Sequence, residues 1–112
     1  MQSASAKQTN IKMTARKMRR VINEIRGKSA NEAIRILKYM PYFAARVVEK
    51  NLFAAIANAA QKFDAKADDL KVSEIYADES ITYKRGRPRA HGRMYSRFKR
   101  TSHLTVKVTS NN

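Results

Sequence analysis

Residues 84–103 read KRGRPRAHGRMYSRFKRTSH. Eight of them, Lys84, Arg85, Arg87, Arg89, Arg93, Arg97, Lys99 and Arg100, are cationic, His91 and His103 stand beside them, and no acid interrupts the run. On either side lies a segment with strand character. KVSEIYADESITY (71–83) is rich in β-branched and aromatic residues, and HLTVKVTS (103–110) alternates Leu104, Val106 and Val108 with Thr105, Lys107 and Thr109, the pattern of a strand with one buried face. If the two pair antiparallel, residues 84–100 are the excursion between them, too long for a tight turn and too poor in apolar residues to be core. An extended hairpin arm is the expected form. At about 3.3 Å per residue, roughly eight residues each way carry its tip about 25 Å from the body, beyond the reach of the domain's own hydrophobic support. Such an arm needs a partner to order it.

Working back from the arm, residues 4–12 (ASAKQTNIK) are polar and weakly alternating, which suits an edge strand or an extended tail. From Thr14, a candidate N-cap, TARKMRRVINEIRG places Met18, Val21, Ile22 and Ile25 at spacings of three and four, one apolar stripe, before Gly27 stops the helix. Arg16, Lys17, Arg19, Arg20 and Arg26 surround that stripe. Ser29 and Glu32 have the spacing of a capping box and predict a second helix with Ala33, Ile34, Ile36 and Leu37 on its apolar face. Pro41 bars a simple continuation and suits the first turn of a third helix. That helix, from Tyr42 to about Phe63, is the longest, with Ala44, Val47, Val48, Leu52, Ala55, Ile56 and Ala59 on one broad face. DAKADD (64–69) is a polar break before the strands.

The whole chain bounds the function. A length of 112 residues predicts one domain, 1–112, with the arm spanning about 80–102. Twenty-four Lys and Arg stand against nine Asp and Glu, a formal charge of +15, more than half of it between residues 84 and 100. A chain so charged calls for a polyanionic partner. With no cysteine there is no thiolate metal site, Cys nucleophile or disulfide framework. The start lacks the apolar run of a secretory signal, and nowhere do eighteen apolar residues occur together, so a soluble, intracellular protein without membrane association is expected.

RNA is the natural target of the arm. Arg outnumbers Lys six to two there, and guanidinium grips phosphate bidentately, stacks on bases and is weakly hydrated enough to be buried at an interface. Tyr83, Tyr95 and Phe98 interleave with the charge and can stack on unpaired bases, while Gly86, Pro88 and Gly92 allow close approach and sharp changes of direction. A merely solvated basic loop requires neither anchored ends nor a string dominated by Arg with interleaved aromatics.

The run KRGRPRAHGRMYSRFKRTSHLTVKV closely resembles the C-terminal motif of the universal family of large-ribosomal-subunit proteins conventionally numbered twenty-two, with RPRAxGR and KRTSH as written. The resemblance extends through MTARKMRRVINEIRGKSANEAIRIL and the AIANA of residues 55–59, nearly the entire chain. It implies an α+β fold, three helices packed on a small three-stranded antiparallel sheet with a long basic β-hairpin arm; the strand pairing comes from the resemblance alone. It implies a structural protein that binds 23S-type ribosomal RNA, supports subunit assembly and lines the nascent-peptide exit tunnel with its hairpin. Neighbouring large-subunit proteins and the nascent polypeptide would be its other partners, and the ribosome of a bacterial cytoplasm, plastid or mitochondrion its location, with no cofactor. By position, Tyr83, Lys84 and Arg85 match the hairpin stretch linked in the family to macrolide response, and Arg89, Ala90, His91, Gly92 and Arg93 match the tip near the constriction. His91 stands where many relatives have Lys or Gln, and Gly86 with Arg87 replaces a bulkier apolar pair. The expected RNA ligands are Arg16, Lys17, Arg19, Arg20, Lys84, Arg85, Arg87, Arg89, Arg93, Arg97, Lys99, Arg100 and His103.

Other classes fit less well. An enzyme needs a nucleophile with a base, paired carboxylates, metal ligands or a glycine-rich phosphate loop, and none assembles. His91 and His103 are twelve apart on opposite sides of the expected tip. Asp68 with Asp69 and Asp78 with Glu79 are adjacent, but neighbours on a strand point to opposite faces and loop acids are usually solvated. His103 is better suited to orienting backbone or RNA. A DNA-binding architectural protein is the stronger rival, since basic β-arms also enter the minor groove, and preference for folded RNA over duplex DNA at matched salt separates the two. A membrane-active peptide would show amphipathic helical periodicity in the basic stretch, which is missing.

Overall fold

The chain's structure, a computed structural model, describes residues 2–88 and 94–110, with side chains over residues 2–80 and 100–110. Strand β1 (Ser3–Ile11) leads to helices α1 (Ala15–Ile25), α2 (Ala30–Lys38) and α3 (Phe43–Phe63), and a short 3-10 turn, Ala67–Asp69, precedes strands β2 (Leu70–Pro88) and β3 (Met94–Ser110). The sheet has the order β1-β3-β2 with both pairings antiparallel. The α+β architecture expected from the sequence is therefore the one observed, and the edge strand expected over 4–12 is β1, Ser3–Ile11.

Local chemistry explains the helix boundaries. Thr14 caps α1, its hydroxyl accepting from the backbone N–H of Lys17 at 3.3 Å, and Ser29 does the same for α2 from the N–H of Glu32 at 3.3 Å. Only half of the capping box forms, because the Glu32 carboxylate lies instead 4.0 Å from Lys28 Nζ. Pro41 stands outside α3, which begins two residues later at Phe43 with Tyr42 as its N-cap. Arg46, one turn into α3, donates to the Leu37 carbonyl and, at 3.2 Å, to that of Met40, so the end of α2 is satisfied by a side chain from the next helix.

One face of the sheet carries Ala4, Val72, Ile75, Ala77, Leu104, Val106 and Val108 into the core, where they meet Met18, Val21, Ile22 and Ile25 of α1, Leu37 of α2, and Val48, Leu52 and Ala55 of α3. Ala44, Ala45, Ala55 and Ala59 are buried along α3 and let it lie close to its neighbours. Strict alternation fails in β1 and β2, and bulges restore the inward face. Register shifts between Val72 and Glu74, so that Val72 and Ile75, three apart, both point inward. A second shift between Gln8 and Ile11 does the same for Ile11. The third, between Glu79 and Thr82, opposes Glu79 to Ser102 and Thr82 to Arg100.

Ser102 marks the place where the body ends. Ile11 of β1 pairs with it, β1 goes no further, and β2 and β3 continue alone as a two-stranded ribbon from Thr82↔Arg100 to Pro88↔Met94. The ribbon makes the molecule long, 65 Å on its principal axis against 26 and 17 Å on the others.

Candidate nucleic-acid interface

Helix α1 presents three faces. Ala15, Met18, Val21, Ile22 and Ile25 are buried. Arg19 and Arg26, seven apart and so on one side of the helix, turn to the open edge of β2: Arg19 Nη2 donates to the Ala77 carbonyl and Arg26 Nη2 to that of Ile75, each at 2.9 Å. Carbonyls two residues apart face the same edge of a strand, and the cover continues where Gly27 N–H donates to the Val72 carbonyl at 3.1 Å and Val72 N–H to that of Lys28 at 2.9 Å. The β2 edge is thus closed to a further strand. The third face bears Arg16, Lys17 and Arg20, all exposed. Of the four helix-one cations expected to hold RNA, Arg16, Lys17 and Arg20 share a solvent face, and Arg19, also exposed, has one guanidinium nitrogen on the Ala77 carbonyl.

At the opposite edge α3 covers β1 in the same manner. Asn58 Nδ2 donates to the Ser5 carbonyl at 2.9 Å, Lys62 Nζ to that of Ser3 at 3.1 Å, and the buried Asn51 amide bridges the Gln8 side chain and the Val47 carbonyl at 2.7 and 2.9 Å. Neither edge is left as bare backbone over these stretches.

The root of the arm is a polar junction. Asn10, at φ 54°, adopts the left-handed conformation that Asn tolerates better than most residues. Its backbone N–H donates to His103 Nδ1 at 3.1 Å, and its side-chain oxygen accepts from the Ser80 hydroxyl at 3.1 Å. His103, half-buried, thus orients backbone. Arg100 is exposed just beyond.

Along the arm, Tyr83, Lys84, Arg85 and Arg87 lie on β2 and Arg97 and Lys99 on β3, with Tyr83 opposite Lys99, Lys84 opposite Phe98, Arg85 opposite Arg97 and Arg87 opposite Tyr95. Arg89, Ala90, His91, Gly92 and Arg93 fall outside the described residues. Like charges in register, as at Arg85 and Arg97, work against strand pairing unless an anion lies between or beside them.

One feature escaped the sequence reading. Between α2 and α3 the residues Tyr39, Tyr42 and Phe43 are 77%, 46% and 68% exposed. Lys38 Nζ sits over the Tyr39 ring at 5.8 Å and the Arg20 guanidinium over Tyr42 at 6.0 Å. Met40, Pro41, Tyr42, Phe43 and Arg46 line a shallow concavity there. The signal was present as an aromatic excess at a helix junction, where a core stripe has no reason to be.

Comparison with known proteins fits this arrangement of a compact α+β body and a cationic ribbon. Residues 6–109 match the family described as Ribosomal protein L22p/L17e. The chain belongs to this family. The large ribosomal subunit protein uL22 of Latilactobacillus sakei is 50% identical over 107 residues, covering 96% of this chain and 92% of that protein. Those of Pediococcus pentosaceus, 48% identical over 107 residues with 96% and 91% covered, and Clostridium novyi, 48% identical over 98 residues with 88% of each covered, are similar. The match to the L22p/L17e family takes in all three helices and both strands of the arm.

The acids read as possible pairs have ordinary surroundings in this family member. Asp68 and Asp69 are exposed in the 3-10 turn, where the Asn31 amide donates to Asp68, and Asp78 and Glu79 are exposed on β2. Among the described residues no cluster of His, Asp and Glu is arranged to hold a metal ion, and no helix is long and apolar enough to cross a membrane.

Proposed function

We propose that the chain is a structural constituent of the large ribosomal subunit, acting as one domain over residues 1–112. It binds 23S-type RNA and supports subunit assembly. The single observation that carries this reading is the family match over residues 6–109, to proteins that are components of that subunit. The geometry supports a division of labour. Arg16, Lys17 and Arg20 form a phosphate-binding face on the body, all three exposed, whereas the ribbon carries Lys84, Arg85, Arg87, Arg97, Lys99 and Arg100 beyond the last strand that could support it. A two-stranded hairpin is marginal by itself in water, and a ribbon with arginines in register is held best between RNA segments whose phosphates neutralise them.

The ribbon's end is the part we assign to the wall of the nascent-peptide exit tunnel, with Tyr83, Lys84, Arg85, Arg89, Ala90, His91, Gly92 and Arg93 as lining residues and the nascent polypeptide as the passing neighbour. Arg89 and Arg93 complete the arm's RNA contacts, and neighbouring large-subunit proteins flank the body. The reading includes no catalytic step and no cofactor.

Sedimentation of a lysate through a high-salt gradient tests the reading, with each fraction probed for this protein and for large-subunit RNA. Comigration with the large subunit is expected. Recovery with DNA, or free at the top of the gradient, would overturn it. In the assembled subunit, neutralising Arg89 and Arg93 should leave the body's footprint intact while altering the tunnel wall, whereas neutralising Arg16, Lys17 and Arg20 should weaken docking itself. Equal loss of protection everywhere would refute the division of labour.

A further inference from the structure

We infer that the α2–α3 corner is a seat for an unpaired RNA nucleotide, its base stacked on the exposed aromatic cluster of Tyr39 and Phe43 and its phosphate held by Arg20 and Lys38. The inference rests on the RNA-binding reading above and adds to it a site on the body that neither the arm nor the cationic face of α1 supplies.

Burial is the first argument. Tyr39 and Phe43 are 77% and 68% exposed, and a Phe at the first position of a helix contributes nothing to that helix by standing in water. Exposed aromatics grouped in this way mark a contact surface. Charge decides which partner. The rim consists of Arg20 over Tyr42 and Lys38 over Tyr39. The acid at the corner, Glu49, is already 3.9 Å from Arg46 Nη1. An apolar protein segment would gain nothing from that rim, whereas a nucleotide needs both parts, a flat ring to stack on and a cation for its phosphate.

Continuity is the third argument. Arg20 belongs to the same solvent face of α1 as Arg16 and Lys17, so the phosphate strip on that helix runs directly into the aromatic cluster. A strand of RNA that follows the strip reaches the rings at its end. A paired base keeps its faces inside the duplex, so the nucleotide at the rings is unpaired, in a loop, bulge or single strand.

The test uses the full chain and a single-stranded RNA decamer carrying one 5-iodouridine, alongside the same decamer annealed into an RNA duplex. Irradiation is expected to cross-link the single strand to Tyr39, Tyr42 or Phe43, and the duplex not at all at these positions. Tyr39→Ala combined with Phe43→Ala should weaken single-strand binding roughly tenfold, in the range of losing a stacked base, and leave duplex binding within about twofold. Tyr39→Trp with Phe43→Trp should restore it. Both rings are exposed, so the alanine variant should keep its circular dichroism, which is checked beforehand. Unchanged decamer binding by the alanine variant, or cross-links confined to the arm, overturns the inference. So does a variant that binds RNA normally but releases a neighbouring protein from the subunit, which would make the corner a protein seat. Failure of the wild-type chain to bind the decamer, the duplex and large-subunit RNA alike would instead refute the RNA-binding reading on which the inference rests.

Discussion

The backbone N–H of Asn10 donates to Nδ1 of His103, 3.1 Å away, and joins the end of β1 to the root of the arm across 93 residues of sequence. Nδ1 of His103 is thus committed to the fold. Replacing His103 by Ala should cost about 1 kcal/mol, the net worth of one such bond, and should speed exchange of the Asn10 amide with solvent. His103→Gln, whose side-chain oxygen can accept, should recover part of the loss. An Asn10 amide that exchanges at the same rate in the alanine variant would show that the bond does not anchor the junction. Denaturant unfolding together with amide exchange by NMR supplies both readouts.

The cations of α1 should separate into two groups. Arg19 and Arg26 donate to carbonyls on the edge of β2, so replacing either by Gln should lower stability by about 1 kcal/mol, a part-exposed hydrogen bond lost. Arg16, Lys17 and Arg20 lie on the solvent face. Replacing all three by Gln should leave unfolding within about 0.5 kcal/mol of wild type while reducing the slope of log affinity for duplex RNA against log salt by up to roughly 0.9 per lost phosphate contact. A triple variant that binds RNA with an unchanged salt slope would remove α1 from the interface.

Much of this fold is legible because apolar spacing is a physical requirement of burial. The three- and four-residue steps from Met18 to Ile25 place α1, and the two-residue steps of Leu104, Val106 and Val108 place the inner face of β3. Where the period breaks, legibility ends. Val72 and Ile75 share a face only because of a bulge, and Gln8 and Ile11 likewise, and no local rule announces an extra residue in a strand. Pro41 could have opened α3, but the helix starts at Phe43, and Arg46 from its first turn reaches back to the Leu37 and Met40 carbonyls, contacts that no local pattern announces. Charge is legible as a total and much less so in its assignment. Arg19 and Arg20 are adjacent in sequence, yet one closes a sheet edge and the other stands over Tyr42, a distinction set by where β2 and α3 lie.

Neighbouring residues on β3 should differ sharply in what they contribute. Leu104 is fully buried on the central strand, and Thr105 faces the other side of the sheet, half-buried. Leu104→Ala removes the apolar group and leaves a cavity between the sheet and the helices, an expected loss of about 3 kcal/mol. Thr105→Ala should cost less than about 1 kcal/mol. Denaturant midpoints at constant slope measure both. Similar losses from the two changes would mean that the outer face of the sheet is packed as tightly as the inner one.

Gly27 separates backbone cost from steric cost. It follows the end of α1 at φ 80°, and its N–H donates to the Val72 carbonyl at 3.1 Å, a backbone link to the edge of β2. An added Cβ would meet nothing within 4 Å, so Gly27→Ala brings no clash. Two terms remain. Holding Ala in the left-handed region costs about 1 to 2 kcal/mol, while the reduced freedom of the unfolded chain returns about 0.4 to 1 kcal/mol. The first wins, and a net loss of about 0.5 to 1 kcal/mol is expected. Gly27→Asn, which tolerates this conformation better, should lose less. Thermal unfolding of the two variants decides the point: if alanine proves no worse than asparagine, the conformation at Gly27 is not what holds the α1–α2 turn against β2.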